Sequence, residues 1–291
     1  MTSENPFSKY KALVFDCYGT LIDWEAGIYS SLKPLFERNG KPSDKRTVIQ
    51  AYSSVEHELE ARYPTLRYTD ILAKVYITLE ARLQSKEMPP DALRDDKSVS
   101  EPVVASAHRA QGTEQAASVL VGTSADASDA AGPNPAQAFA HSVPTWQPFP
   151  DTVPALVTLS RHFKLIILSN IDRATIAKTR RLMEGEDPAN LAFSFDAVYT
   201  AEDAGAYKPA PEMLDYALEH LKEDFGIEQD AVLMTAQSMT HDIIPAKGRG
   251  MDTAWINRPN AITGLGISGE AAKYVFPTLG DMAEAVEKAS A

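Results

Sequence analysis

Four sets of polar groups able to act together are spread along the chain, each just beyond a short apolar run: Asp16, the pair Ser169 and Asn170, Lys208, and Asp242. An aspartate can serve as a nucleophile only while it is ionised, and a neighbouring ammonium keeps it so. Thr20 stands four residues after Asp16 with a hydroxyl able to donate to that carboxylate, and Gly19 permits a tight turn between them. Lys208 lies in Tyr207-Lys208-Pro209-Ala210-Pro211, where proline restrains the backbone beside the cation. Asp242 closes the stretch Gln237-Ser238-Met239-Thr240-His241-Asp242. A single aspartate after a strand ordinarily caps a loop. Polar groups after four different strands make one convergent site, because ligands of an open parallel sheet bind outside the carboxyl ends of its strands.

The elements that must carry these groups are legible as alternating patterns. Ala12-Leu13-Val14-Phe15 is an uninterrupted apolar run bounded by polar residues, the pattern of a strand buried on both faces. Similar runs recur at 165–168, 197–199, 231–234 and 253–256, with helical segments at about 173–183, 211–221 and 242–248 between them. This alternation predicts an α/β fold, with a parallel sheet joined by right-handed crossovers. The long stretch after the first strand differs. Val48, Ala51, Val55 and Leu59 share one helical face behind Ser43 and Asp44, either of which suits a cap, and Leu72, Val75, Tyr76, Leu79 and Leu83 form a second stripe. The predicted division is a core of residues 1–24 and 146–291 with a helical cap inserted at 25–145. Within the cap, about 95–135 is rich in Ala, Ser, Asp and Gly with few large apolar residues, so a mobile surface excursion is expected there.

Composition narrows the function. The 28 Lys and Arg against 40 Asp and Glu leave a net charge of -12 without a dense basic block, which disfavours nucleic acid and anionic membranes as partners. A small anionic substrate is still compatible, since one pocket can be positive on an acidic protein, and a homodimer stays open. Cys17 is the only cysteine, so neither an intrachain disulfide nor a cysteine-based zinc cage can form. Residues 1–10 have no apolar core of signal-peptide length, and the cytosol is the expected location.

These motifs together resemble the haloacid dehalogenase superfamily, and within it the 2-haloacid dehalogenases of type II. The likeness is carried by Phe15-Asp16-Cys17-Tyr18-Gly19-Thr20-Leu21, by Ser169-Asn170, by Lys208-Pro209, and by Ser238 with Asp242. Trp146-Gln-Pro-Phe-Pro-Asp151 and Trp255-Ile-Asn-Arg258 extend it. The resemblance implies a Rossmann-like core with a helical cap, and Asp16 attacking carbon or phosphorus. Thr20 and Ser169 would position that carboxylate, Lys208 would neutralise the crowded acids, Asp242 would help activate water, and Asn170 would hold the departing group. Tyr18 and Ser238 are expected beside the substrate.

Phosphatases of this superfamily have a second aspartate two residues after the nucleophile, acting as a general acid for an alkoxide. Tyr18 stands there instead, and a phenol with an ordinary pKa of roughly 10 is a weak acid at neutral pH. Halide leaves unprotonated, so the substitution favours displacement at carbon, with no cofactor required. The alternatives are a Mg²⁺-dependent phosphatase of small metabolites, holding the ion on Asp16 and Asp242, and a non-catalytic binding protein of the same fold. The family's Ser-Asn-Ala-Trp-Asp reads Ser238-Met239-Thr240-His241-Asp242 here, and Leu214 stands where the family has tyrosine. His241 is a candidate extra base. Arg46, Arg62 and Arg67 are candidates for the cap arginine that the family places over the substrate.

Overall fold

The computed structural model describes residues 5–85, 134–187, 189–263 and 269–291. Six parallel strands form one sheet: β1 (Ala12–Phe15), β2 (Lys164–Ser169), β3 (Ala197–Thr200), β4 (Val232–Ala236), β5 (Asp252–Ile256) and β6 (Tyr274–Phe276). Their order across the sheet is β3-β2-β1-β4-β5-β6. β1 is central, pairing Phe15 with Ile167 on one side and Thr235 on the other. All four of its residues are fully buried, as its unbroken apolar run requires. β6 escaped the apolar-run criterion because Tyr274-Val275-Phe276 forms a three-residue edge strand whose Val275 is half-exposed.

Helices cover both faces. On one side Val14, Ile166, Leu168 and Met234 pack against Met213, Leu214, Ala217 and Leu221 of α8 (Pro211–Phe225) and Ala246 of α9 (Ile244–Gly248). On the other, Leu13, Phe15, Leu165 and Ile167 meet α5 (Thr152–Leu159) and α10 (Leu279–Ser290) through Leu156, Leu159, Leu279, Met282 and Val286. Two further helices connect the strands, α6 (Arg173–Glu184) after β2 and the short α7 (Ala201–Ala204) after β3. The expected helix at 242–248 is instead a π turn, Met239–Ile243, running into α9. Pro245 has no N–H to return to the His241 carbonyl, so a regular α ladder cannot pass through that point.

The insertion after β1 opens with α1 (Trp24–Arg38), α2 (Lys45–Arg62) and α3 (Tyr68–Gln84). Asp44 is the cap of α2, accepting from the Thr47 N–H. Val48, Val55, Leu59 and the whole 72–83 stripe are buried where these helices pack together. The expected excursion at 95–135 lies outside the described residues except at its end. There Asn134 caps α4 (Pro135–Ala140), and Phe139 of α4 packs edge-on against Tyr52 of α2. Regular structure resumes at Pro135, because Asn-Pro is a helix start as well as a loop signal.

Candidate active site

Asp16, Ser169, Lys208 and Asp242 lie beyond or at the carboxyl ends of β1, β2, β3 and β4, and the twist of a parallel sheet brings those ends together. The Lys208 ammonium donates to Asp16 Oδ1 at 2.7 Å, to Asp242 Oδ1 at 2.8 Å and to the Leu168 carbonyl at 3.0 Å. Its three protons are thus all used. Asp16 Oδ2 accepts from the Thr20 hydroxyl at 2.7 Å, and Thr20 accepts in turn from the Gln237 N–H at 2.8 Å. Asp16, Lys208 and Asp242 are all buried. Arg258 locks the loop after β1 by donating to the Thr20 carbonyl at 2.7 Å and to Asp151 at 2.6 Å. Gly19, at φ +100°, is needed there, since a Cβ would lie 2.8 Å from the Trp24 ring nitrogen.

Burial and charge act in opposition within this cluster. Burial pulls the Lys208 pKa down, but the Asp16 and Asp242 carboxylates outweigh it and the net displacement is upward. Asp242 is pushed up to about 7 by burial, with Asp16 adding repulsion and Lys208 opposing both. Its Oδ2 is buried with no hydrogen-bond partner among the described residues. His241 is pulled down to about 4 by burial and by the nearby Lys208 and His57, so its ring is neutral at physiological pH.

The remaining expected site residues have more particular positions. Asn170 clamps the backbone of Lys208: its Oδ1 accepts the Lys208 N–H at 2.6 Å and its Nδ2 donates to the Lys208 carbonyl at 3.1 Å. Most of its amide is therefore spent on holding the lysine, and one N–H is left for a ligand. Ser238 caps the π turn, accepting from the His241 N–H at 3.2 Å and meeting His241 Nδ1 at 3.1 Å, so it orients that ring. The Tyr18 hydroxyl lies 2.9 Å from Thr179 of α6, with its ring edge-on to Trp146. Burial raises that phenol's pKa well above its ordinary value. Ser169, the last residue of β2, is buried.

Above the cluster α2 supplies a wall that the motifs did not indicate. Tyr52, Glu56 and Glu60 follow one another at i, i+4 spacing, and His57 beside them stacks on His241 with centroids 5.6 Å apart. Tyr52 and Tyr68 both donate to Glu56 Oε1 at 2.5 Å. Glu60 is pushed up to about 9 by burial and by Glu56, while Lys208, within electrostatic reach, opposes the shift. The i, i+4 acid and aromatic face was present in the sequence, but only the docking of α2 over Lys208 gives it meaning. Arg46, Arg62 and Arg67 are all exposed, and none makes a hydrogen bond or ion pair with the Asp16–Lys208–Asp242 cluster among the described residues.

The molecule thus has an all-parallel α/β sheet with two buried acids bridged by a lysine at its carboxyl edge. The chain belongs to the haloacid dehalogenase-like hydrolases, whose family model matches residues 10–248. A search of curated proteins finds no match. Among solved structures it is similar to the L-2-haloacid dehalogenase from Xanthobacter autotrophicus, at 18% identity and TM-score 0.61, covering 96% of this chain and 98% of that one. The defluorinating L-2-haloacid dehalogenase Rha0230 aligns at 15% identity and TM-score 0.62 over 99% of this chain and 100% of its own. The magnesium-bound HAD-hydrolase YfnB from Bacillus subtilis gives 18% identity and TM-score 0.60, with 96% and 99% covered. At such identities these likenesses establish the shared fold. Among the described residues no helix is long and apolar enough to cross a membrane.

Proposed function

We propose that the protein hydrolyses the carbon–halogen bond of a short 2-haloacid through an ester on Asp16, releasing the 2-hydroxy acid. The observation that carries this reading is the Asp16–Lys208–Asp242 bridge together with a tyrosine at position 18. In the first step an Asp16 oxygen bonds C2 of the substrate while the carbon–halogen bond breaks and halide leaves with the electron pair. No proton is needed. A phosphate monoester would require a general acid for its alkoxide, and the Tyr18 phenol is both a weak acid and engaged with Thr179. In the second step water adds to Cγ of Asp16, with its proton passing to Asp242. The charge developing on the carbonyl oxygen faces Lys208. Collapse breaks the bond from Cγ to the substrate oxygen, which takes up a proton and leaves as the hydroxyl of the product.

The substrate carboxylate meets no arginine in this scheme. The Ser169 hydroxyl and the spare Asn170 N–H are donors for it. Glu60 holds its proton at neutral pH and so donates rather than repels, and an incoming anion strengthens that tendency.

One observation favours a second reading, the unpartnered Oδ2 of Asp242. Two carboxylates suffice for Mg²⁺ when water and a phosphate complete its shell. Asp16 and Asp242 would hold the ion, which would supply charge neutralisation at phosphoryl oxygens. Screening halogenated acids and phosphate esters with wild type and Asp16→Asn, with and without chelator, separates the readings. Chelator-insensitive halide release by wild type alone supports the first; phosphate release that requires the metal rejects it.

A further inference from the structure

Two contacts between the helical insertion and the loops of the site share a feature: each is made by the residue just before a member of the Asp16–Lys208–Asp242 cluster. Tyr207 precedes Lys208 in the loop between α7 and α8, and its hydroxyl donates to the Leu66 carbonyl in the turn joining α2 to α3. His241 precedes Asp242 in the π turn, and its ring stacks on His57 of α2 with centroids 5.6 Å apart and planes inclined by 22°. Both rings of that stack are oriented by a further partner, His57 through Nδ1 at 2.7 Å from the Ser53 carbonyl and His241 through Ser238 at 3.1 Å. The Lys208 loop is likewise held from two sides, by Asn170 from the end of β2 and by Tyr207 from the insertion. Burial, with Glu60 and Asp172 adding repulsion, raises the Tyr207 pKa, so the phenol keeps the proton it donates.

We infer that Tyr207 and His57 are positioning residues, which tie the insertion to the loops of Lys208 and Asp242 and so align Asp16 for attack. The inference rests on the ester mechanism proposed above. Lys208 directs its three protons at Asp16, Asp242 and the Leu168 carbonyl, so it holds the acids in place rather than binding substrate. The two ties converge on that one ammonium. Tyr207 acts on the lysine through the neighbouring backbone, and His57 acts through His241 on Asp242, which accepts from the same Nζ at 2.8 Å. Displacement at carbon tolerates little misplacement of the attacking oxygen, and a shift of about 1 Å costs on the order of a hundredfold in rate. Releasing one tie while the other and Asn170 remain allows a smaller shift. The loss then falls on the chemical step, because neither tie touches the substrate.

The test separates rate from binding. Tyr207→Phe keeps the ring and removes the donor, and His57→Ala removes the stacking partner from an exposed position on α2. Tyr63→Phe, an exposed tyrosine at the end of α2 close to Leu66, is the control. Halide release in the first turnover is followed by rapid mixing over a range of 2-chloropropionate concentrations, which gives a maximal rate and a half-saturating concentration, and urea unfolding gives the folded fraction. Tyr207→Phe and His57→Ala are each expected to lower the maximal rate about tenfold while half-saturation stays within about twofold. Tyr63→Phe should match wild type. A wild-type maximal rate in either variant when folded, a change confined to half-saturation, or equal slowing in Tyr63→Phe overturns the positioning role while leaving the ester mechanism standing. If Tyr207→Phe fails to fold, His57→Ala decides by the same criteria. A wild type that releases no halide from 2-chloropropionate rejects the proposed reaction and this role with it.

Discussion

Replacing Asp242 by Asn probes the electrostatics of the site through stability alone. The swap keeps the shape of a fully buried side chain whose Oδ1 accepts from Lys208 at 2.8 Å, and it removes the group that burial and Asp16 push up to about 7. A carboxyl whose folded pKa is raised favours the native state while it is protonated. That contribution is complete below the unfolded value of 3.8 and is lost as pH rises through about 7. The gap corresponds to roughly 4 kcal/mol, at about 1.4 kcal/mol per pH unit. Asn does not titrate, so Asp242→Asn should gain on wild type by several kcal/mol between about pH 4 and pH 8, on top of a constant offset for the altered contact with Lys208. Urea unfolding of both proteins across that range measures the difference. A stability difference that stays flat with pH, or that moves against the variant as pH rises, would refute the account of a carboxyl held partly protonated beside Asp16.

Lys208→Met leaves two buried acids without their common partner. It should cost about 3–5 kcal/mol in urea unfolding at neutral pH, and a loss below about 1 kcal/mol would contradict the bridge. Gly27→Ala puts a Cβ 2.3 Å from the Trp146 ring, which overpacks the junction supporting Tyr18. A destabilisation of about 1–3 kcal/mol is expected, and an unchanged thermal midpoint would show that α1 is not pressed against Trp146. The triple variant Arg46→Ala, Arg62→Ala, Arg67→Ala should keep KM for a 2-haloacid within about twofold, because all three side chains are exposed and none contacts the Asp16–Lys208–Asp242 cluster among the described residues. A tenfold rise in KM would return one of them to the substrate.

The sequence alone determined the core sheet and the identity of its polar ends. Fully buried strands must be continuously apolar, and chemistry in a parallel sheet gathers where its strands end. The expectation for β1 therefore coincides with the observed Ala12–Phe15, and Asp16, Lys208 and Asp242, separated by as many as 226 positions, were assigned to one site. The edge strand β6 and the π turn before α9 escaped notice, since the first is too short and exposed to show a pattern and the second is governed by Ser238 and Pro245 locally. Only tertiary structure decided which surface of the cap faces the lysine. Helical periodicity marks the buried stripe of α2, but it does not say that Glu56 meets Tyr52 and Tyr68 or that His57 stacks on His241. The roles of Asn170 and Ser238 were likewise settled by packing: a polar side chain takes whatever partner the fold brings within about 3 Å, here the Lys208 backbone and the His241 ring.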